Sequence, residues 1–345
     1  MASNAIIAFR VDSSSSMGTG HVMRCLTLAG RLGDMGFQPV FFCANLPGNL
    51  TGLIASTYPV EMLGNDSPLK FVELCRNYNP QAVVVDHYQI DHHWESVVQA
   101  EIKVPMVVVD DLANRKHECT LLLDQNLGRQ SSDYDGLVPA SARRLIGTRY
   151  ALLRPEFAEL RPQSLARKLQ FDRIARVLIS LGGADPTNVT LSVLQQLNSN
   201  SAQQLSLIDV VVGNAYPHHR ELRAFVGKSS LPIAVHTQVA NVGELMLCAD
   251  LAIGAGGSSA WERCTMGLPS VAIGIAANQT IVLQGLQAAG AALVLLSPAQ
   301  LHTDFNRCLQ QLNHTKTYLE MSEKAATLVD GAGASRVAQS VGALL

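Results

Sequence analysis

No stretch of 18 apolar residues occurs in this 345-residue chain, and its start, MASNAIIAFRVDSSSS, lacks a basic segment leading into a long apolar one. Neither a membrane span nor an export signal is expected. Neither sign of charge dominates: 26 Lys and Arg stand against 28 Asp and Glu, for a formal net charge of -2, and the cations are scattered. Without a basic stripe there is no electrostatic footprint for DNA or RNA. Cysteine is sparse. Cys25, Cys43, Cys75, Cys119, Cys248, Cys264 and Cys308 form no CxxC pair and no short metal spacing, which fits free, mostly buried thiols in a reducing cytoplasm. No metal or cofactor is expected. His92 and His93 are adjacent on a helix and should diverge, as are His218 and His219, and the acids Asp110 and Asp111 are neighbours rather than an Asp-x-Asp pair.

What is present is a globular composition, 48% hydrophobic and 16% charged, in a chain long enough for two α/β domains, each with its own core. Short runs rich in Val and Ile alternate with helical patterns, the mark of parallel sheets covered on both faces. In the first half the strands are expected at Ala5 to Val11, Pro39 to Ala44, Ala82 to Val85, Met106 to Val109 and Leu121 to Leu123, with a helix over His21 to Met35. Residues 155–172, PEFAELRPQSLARKLQFD, carry two prolines and many charges and read as a linker. A second series then starts, with strands at Arg176 to Leu181, Ile208 to Gly213, Ile233 to His236, Asp250 to Ile253, Ser270 to Ile273 and Ala292 to Leu295. Pro298 to Leu345 has helical spacing only. The expected fold is two Rossmann-like doubly wound domains, 1–154 and 173–345, facing a cleft.

Ligands of such sheets bind beyond the carboxyl ends of the strands, where loops lead into helix N-termini. The first such loop is DSSSSMGTGH, Asp12 to His21. Gly18 and Gly20 permit a tight turn, and His21 and Arg24 follow one helical turn apart. A dinucleotide fingerprint is missing its third glycine and its acid after the second strand, and no GK[ST] marks a P-loop. What survives is a glycine turn presenting an imidazole, the side chain best suited to take a proton from water near neutral pH; the plainer reading is a turn whose histidine packs. VVVDHYQIDHHWE and VVVDDLANRKHECTLLLDQN gather Asp86, His87, Tyr88, Asp110, Asp111 and Asn126 at strand ends, where substrate polar groups would be met. For Asp91 and Asp111 a turn or N-cap role is the better expectation.

In the second half, LISLGGADPTN places Gly182 and Gly183 before a helix start, a natural place for an anion. DLAIGAGGSSAWERC says more. Gly254, Gly256 and Gly257 let backbone approach a ligand, Ser258 and Ser259 open a helix, and Glu262 follows one turn on, where it could take two ribose hydroxyls. The alternative is a capping box of Ser259 with Glu262. In IGIAANQT, Asn278 and Gln279 suit the hydroxyl or acetamido groups of a sugar, or Asn278 is a cap.

FRVDSSSSMGTGHVMRCLTLA, VVVDHY, DDLANRKHECTLLLDQNLG, SDYDGLVP, YALLRPEF, GAGGSSAWERC, GLPSVAI and NQT, in this order, resemble the PseG family, the hydrolases of the pseudaminic acid pathway. The resemblance runs from about Ile6 to the helix after Gln279. It implies removal of UDP from UDP-2,4-diacetamido-2,4,6-trideoxy-β-L-altropyranose and a fold like the MurG-type glycosyltransferases, the GT-B architecture. It also implies that His21 is the catalytic histidine of the GxGH motif, that Tyr88 of DHY meets substrate, that Glu262 meets the ribose, and that Ser258 and Ser259 meet phosphate. Asp12, Gly20, Arg24, His87, Tyr88, Asn278 and Gln279 are the expected sugar contacts; Gly182, Gly183, Gly257, Ser258, Ser259 and Glu262 are the expected nucleotide contacts.

A diphosphate leaving group whose charge is met needs no separate acid, so one base and one anion site suffice for an inverting hydrolysis at the anomeric carbon. Two other functions use the same parts: a glycosyltransferase passing the sugar to an acceptor, and a non-catalytic nucleotide-sugar sensor. A transferase for lipid acceptors would need an apolar patch near the first-domain loops, and the sequence shows none.

Overall fold

Val- and Ile-rich runs buried on both faces become the strands of two parallel sheets. The computed structural model describes residues 5–15, 17–199, 204–214, 216–237, 239 and 241–345. The first unit comprises Met1–Leu153 and Ala332–Leu345. Its described strands are β1 (Ile6–Val11), β2 (Gln38–Ala44), β3 (Val60–Leu63), β4 (Ala82–Asp86), β5 (Met106–Val109), β6 (Leu121–Asp124) and β7 (Arg143–Ile146), in the order β3-β2-β1-β4-β5-β6-β7. Phe9 of β1 lies beside Phe41 of β2 and Val84 of β4. Alternate residues feed opposite cores. Phe9, Phe41 and Val84 pack with Leu28 and Leu32 of the Gly20–Asp34 helix, while Phe42, Val83 and Val85 pack with Phe71 and Trp94 of the Pro68–Cys75 and His92–Ile102 helices.

The second unit is Arg154–Gly331. It holds β8 (Arg176–Ser180), β9 (Leu207–Val212), β10 (Ile233–Thr237), β11 (Leu251–Ala255), β12 (Ser270–Ile273) and β13 (Leu293–Leu295), all parallel, in the order β10-β9-β8-β11-β12-β13. The order of each sheet reverses once, at β1/β4 and at β8/β11, and the carboxyl ends at such switch points are where ligands are met. Among the described residues no helix is long and apolar enough to cross a membrane, and the seven cysteines are free thiols.

Two expectations on domain limits are corrected. Residues 155–172 are not a loose linker: Pro155–Lys168 is a helix of the second unit, with Pro155 in its first turn and Pro162 at an exposed position inside it. Its charges cap other helices. Arg161 donates to the carbonyls of Thr265 (2.6 Å), Ala326 (2.7 Å) and Val329 (3.0 Å), and Lys168 Nζ donates to that of Ala249 (2.6 Å). These are carbonyls at helix C-termini, where cations are favoured. Burial still pushes the Lys168 amine down to about 7.

The second correction is at the other end. Residues 332–345 belong to the first unit, not to a domain spanning 173–345. The Gly333–Gly342 helix sends Ala334, Val337, Ala338 and Val341 into the core that holds Leu28 and Leu32. Small residues make this close seat possible, and a Cβ on Gly333 would collide with the backbone of Ala151 and Tyr150. Gly333→Ala should therefore destabilise the first unit by about 1–3 kcal/mol, as overpacking does. Gly33→Ala, whose Cβ meets nothing within 4 Å on an established helix, should be neutral or stabilising by up to about 1 kcal/mol. Urea unfolding midpoints of the two variants check the contrast.

Candidate active site

The loop after β1 is held by its own serines. Ser13 Oγ accepts from Leu50 N (2.9 Å), Ser14 Oγ from Met17 N (3.0 Å), and Ser15 N donates to the Pro47 carbonyl (2.9 Å). Gly18 turns the chain at φ +85°, a conformation that favours glycine. The chain then enters the Gly20–Asp34 helix with no side-chain cap and no acid in its first turn. This fixes His21 and Arg24 above the carboxyl end of β4, where Asp86 is the last strand residue.

Asp86 is sealed from water and everything around it answers its charge. Its Oδ1 lies 2.6 Å from His21 Nδ1 and accepts from Arg24 Nη2 at 2.7 Å; its Oδ2 accepts from Arg24 Nε at 2.6 Å. Burial alone would raise this carboxyl, but Arg24 and then His21 hold it well below the ordinary range. Because Asp86 is ionised, His21 donates from Nδ1, which leaves Nε2 as the basic nitrogen. Nε2 has no partner among the described residues and is not closed off from solvent. A carboxylate holding an imidazole in the tautomer with an open Nε2 is the arrangement of a general base.

Arg24 continues the network outward. Its Nη1 donates to both oxygens of Asp111 (3.0 and 2.8 Å), and Asp111 Oδ2 accepts from the Tyr88 hydroxyl (3.2 Å). Tyr88 closes the circuit by meeting the His21 ring edge-on, with centroids 4.5 Å apart. Burial, then Asp111, push the Tyr88 hydroxyl far above its usual value. It remains a neutral donor.

Several residues expected at the sugar face the protein instead. Arg24 is only 7% exposed and committed to two carboxylates. Asp12 takes Arg10 through two bonds (2.7 and 2.8 Å), the Ala44 amide (2.7 Å) and His87 Nε2 (3.2 Å). His87 Nδ1 accepts from Gln89 N (3.1 Å), so both of its nitrogens are occupied. These three residues fix the ends of β1 and β4, because buried charges must be paired. Asp111, expected as a turn residue, is the second partner of Arg24, whereas Asp91 is an N-cap, accepting from His93 N (3.0 Å). His92 and His93, expected to diverge, have ring centroids 3.9 Å apart, and with Asp91 their donor atoms lie within 4.8 Å of one another. They sit at the positive end of a helix, unfavourable for a cation.

Below the site, the buried Tyr134 hydroxyl bridges Asp110 and Asp124, 2.9 Å from an oxygen of each. Burial pushes the Asp124 carboxyl up to about 6. Arg129, which pairs with Asp124 (2.8 Å), also donates to the Asp111 carbonyl (3.0 Å), tying this layer to the site.

In the second unit the two glycine loops have opposite fates. Gly182 turns at φ +92° and Gly183 packs on Gly213, yet the expected anion site is filled. Asp185 accepts from Val189 N (2.9 Å) and Thr190 N (2.7 Å), so a carboxylate already occupies the start of the Val189–Ser199 helix. The second loop is open only at Gly257, where a Cβ would meet nothing within 4 Å; Gly254 and Gly256 are packed against the Arg263 and Leu283 side chains. Ser258 makes no cap bond and Ser259 Oγ accepts from Arg263 Nη1 (3.2 Å), so the capping box with Glu262 is not formed. The Glu262 carboxyl has no hydrogen-bond partner among the described residues, and burial pushes it up to about 7. Asn278 is exposed, while Gln279 spends its carbonyl on Ile275 N (3.1 Å) and keeps only its amide NH2 for a ligand.

No family model matches the chain. Among solved structures, MurG of Acinetobacter baumannii is similar with a TM-score of 0.70 at 15% identity, covering 99% of this chain and 100% of that one. The glycotransferase of kitacinnamycin gives 0.65 at 14% identity, covering 100% of both. The fold is thus that of the two-domain GT-B proteins. Within that class, the UDP-2,4-diacetamido-2,4,6-trideoxy-beta-L-altropyranose hydrolase of Campylobacter jejuni is 30% identical over 240 residues, 70% of this chain and 81% of that one. The spore coat polysaccharide biosynthesis protein SpsG of Bacillus subtilis is 28% identical over 203 residues, 58% of each. The chain belongs to the family of the Campylobacter hydrolase.

Arg24→Met would strand Asp86 and Asp111, and an uncompensated buried charge costs about 3–5 kcal/mol. The folded Asp86 carboxyl lies below its unfolded value, so its stabilisation is present above about pH 4 and is lost as the pH falls further. Without Arg24, burial raises the Asp86 carboxyl, so the loss in Arg24→Met should be largest near pH 8 and shrink as the pH falls and Asp86 takes up a proton, and adding Asp86→Asn should recover part of it. Urea titrations from about pH 5 to pH 8 test both statements.

Proposed function

We propose that this chain removes UDP from a UDP-2,4-diacetamido-2,4,6-trideoxyhexose of the pseudaminic acid pathway by inverting attack of water at the anomeric carbon. The reading is carried by the His21–Asp86 pair, whose 2.6 Å contact leaves Nε2 open, in a chain of this hydrolase family. His21 Nε2 takes a proton from water as the water oxygen bonds to the anomeric carbon. The bond from that carbon to the β-phosphate oxygen breaks, and its electrons leave with UDP. Asp86 keeps the imidazole oriented and stabilises the imidazolium that forms. Tyr88 and the backbone at Gly20 address the sugar.

UDP falls to the second unit. Gly257 gives room for a diphosphate, Ser258 and Ser259 offer hydroxyls, and the unpartnered Glu262 takes the ribose hydroxyls. Nothing in this scheme calls on a metal ion or a cofactor, and its place is the cytoplasm, where thiols stay reduced. The MurG-like fold favours one other reading, transfer of the sugar to an acceptor hydroxyl.

One assay separates these. Purified protein is incubated with the UDP-diacetamido sugar after extensive chelation, and UDP is followed by NMR. UDP and free sugar should form in excess EDTA without any acceptor. His21→Asn should lower the rate about 100- to 10,000-fold with UDP affinity unchanged. Turnover that needs an acceptor would establish a transferase, and turnover restored only by Mg²⁺ would remove the metal-free scheme.

Glu262 gives a pH dependence with a definite sign. The ionised carboxylate is the better acceptor for two hydroxyls, so binding favours the charged form of a group lying at about 7. Uridine, which carries no titrating phosphate, should bind up to about tenfold more tightly at pH 8 than at pH 6. In Glu262→Gln the dependence should vanish; calorimetry at the two pH values reads it directly.

A further inference from the structure

One buried cation of the second unit has no carboxylate bonded to it, the neighbouring Glu262 acting on it only through space. Arg263 is 2% exposed, in the Ser259–Thr265 helix. Its Nη2 donates to the Ala255 carbonyl (2.8 Å) and its Nη1 to Ser259 Oγ (3.2 Å), while its buried Nε has no partner. None of its bonds goes to a carboxylate. Every other arginine buried to this degree in the described chain does otherwise: Arg10 has Asp12 and Asp66, and Arg24 has Asp86 and Asp111. The environment disfavours the charge, since burial lowers the guanidinium from its ordinary value.

Its position explains why it is tolerated. Gly254 of β11 is the register partner of Ser180 of β8, and these two strands flank the switch point of the second sheet. The guanidinium lies against Gly254 so closely that a Cβ there would stand 2.5 Å from Nη1, with the Ser180 carbonyl 3.1 Å away. A glycine is required at 254 because an arginine head fills the space. The bond from Nη1 also sets the direction of Ser259: its oxygen is already accepting, so its own proton is free to be donated elsewhere.

We propose that Arg263 is a positioning residue that serves as the built-in counter-charge for the phosphate groups of the nucleotide, acting through Ser259 and across the glycine loop from behind. The inference rests on the nucleotide reading of this loop and adds to it a source for the charge stabilisation that a divalent cation supplies in many nucleotide-sugar enzymes. Breaking the bond to the sugar adds negative charge to the diphosphate, so a fixed cation helps the departing group more than the intact substrate.

The test is the dependence on phosphate number. Binding of uridine, UMP and UDP is measured calorimetrically for the wild-type chain, Arg263→Met, Arg263→Lys and Ser259→Ala. Arg263→Met should leave uridine affinity within about twofold and weaken UDP about 10- to 100-fold, the range for a charge-assisted bond. Arg263→Lys should recover most of the loss. Ser259→Ala, at a partly exposed position, should lower UDP affinity and not uridine affinity, and it carries the test should Arg263→Met fail to fold. Equal losses for uridine and UDP, or none for either, would overturn the inference. Glu262→Ala tells the two levels apart. If it leaves uridine and UDP binding intact, the nucleotide loop itself is misassigned; if it weakens both while the Arg263 and Ser259 variants keep full UDP affinity, only the counter-charge fails.

Discussion

The ionised carboxylate of Asp86, shut away from water at the end of β4, is the constraint on which the first unit's site is built. An isolated charge there would be prohibitive, so Arg24 must come to it through two bonds and His21 through a third. Satisfying that one group fixes the rotation of the helix that carries both residues. It fixes the protonated nitrogen of the imidazole as well. Asp111 then follows because Arg24 has donors to spare, and Tyr88 because Asp111 has an acceptor to spare. A residue sealed from water thus determines how four others are placed.

The two units handle charge in different ways. In the first, each buried cation has its carboxylate and the site is neutralised from within. In the second, the two glycine-rich loops look alike in sequence and differ by one acid. Asp185 closes the helix after Gly182 with its own carboxylate, whereas the helix after Gly257 begins without a cap and has Arg263 behind it. Glycines make room for an anion, but whether the room is let to a side chain is decided a few residues on.

How much of this was legible in the sequence follows the physics of each feature. Strands buried on both faces declare themselves as β-branched runs, and β1, β2, β4, β5, β6 and the six strands of the second unit were expected within a few residues. The edge strands β3, VEML, and β7, RRLI, were not. Edges carry charge on one face and are short, which removes the signal. The charged segment at 155–168 looked like a linker because its arginines and lysine cap helices that are remote in sequence, and remote carbonyls leave no local trace. The same limit applies at the site. The sequence pointed to His21 through its glycine turn, to Glu262 through the glycine loop before it and to Tyr88 through its place at a strand end, and the family likeness added the role expected of each. That Asp86 outranks its neighbours Asp12 and His87 needed the geometry, since all are polar residues at strand ends. The one local clue was the spacing of His21 and Arg24, which could have been read as two donors seeking one acceptor.

The return of the last helix to the first unit has a consequence for how the protein is made. During synthesis, the face of the Gly20–Asp34 helix that carries Leu28 and Leu32 emerges early, but Val337 and Val341 that cover it are added only after all of 154–331. Until then the first unit presents an unfinished apolar surface beside a growing neighbour, the condition under which nascent chains misassemble. The second unit is contiguous and can close as soon as it leaves the ribosome. The half that bears His21 is therefore begun first and finished last, and a nascent chain arrested before residue 332 holds a complete second unit and an incomplete first.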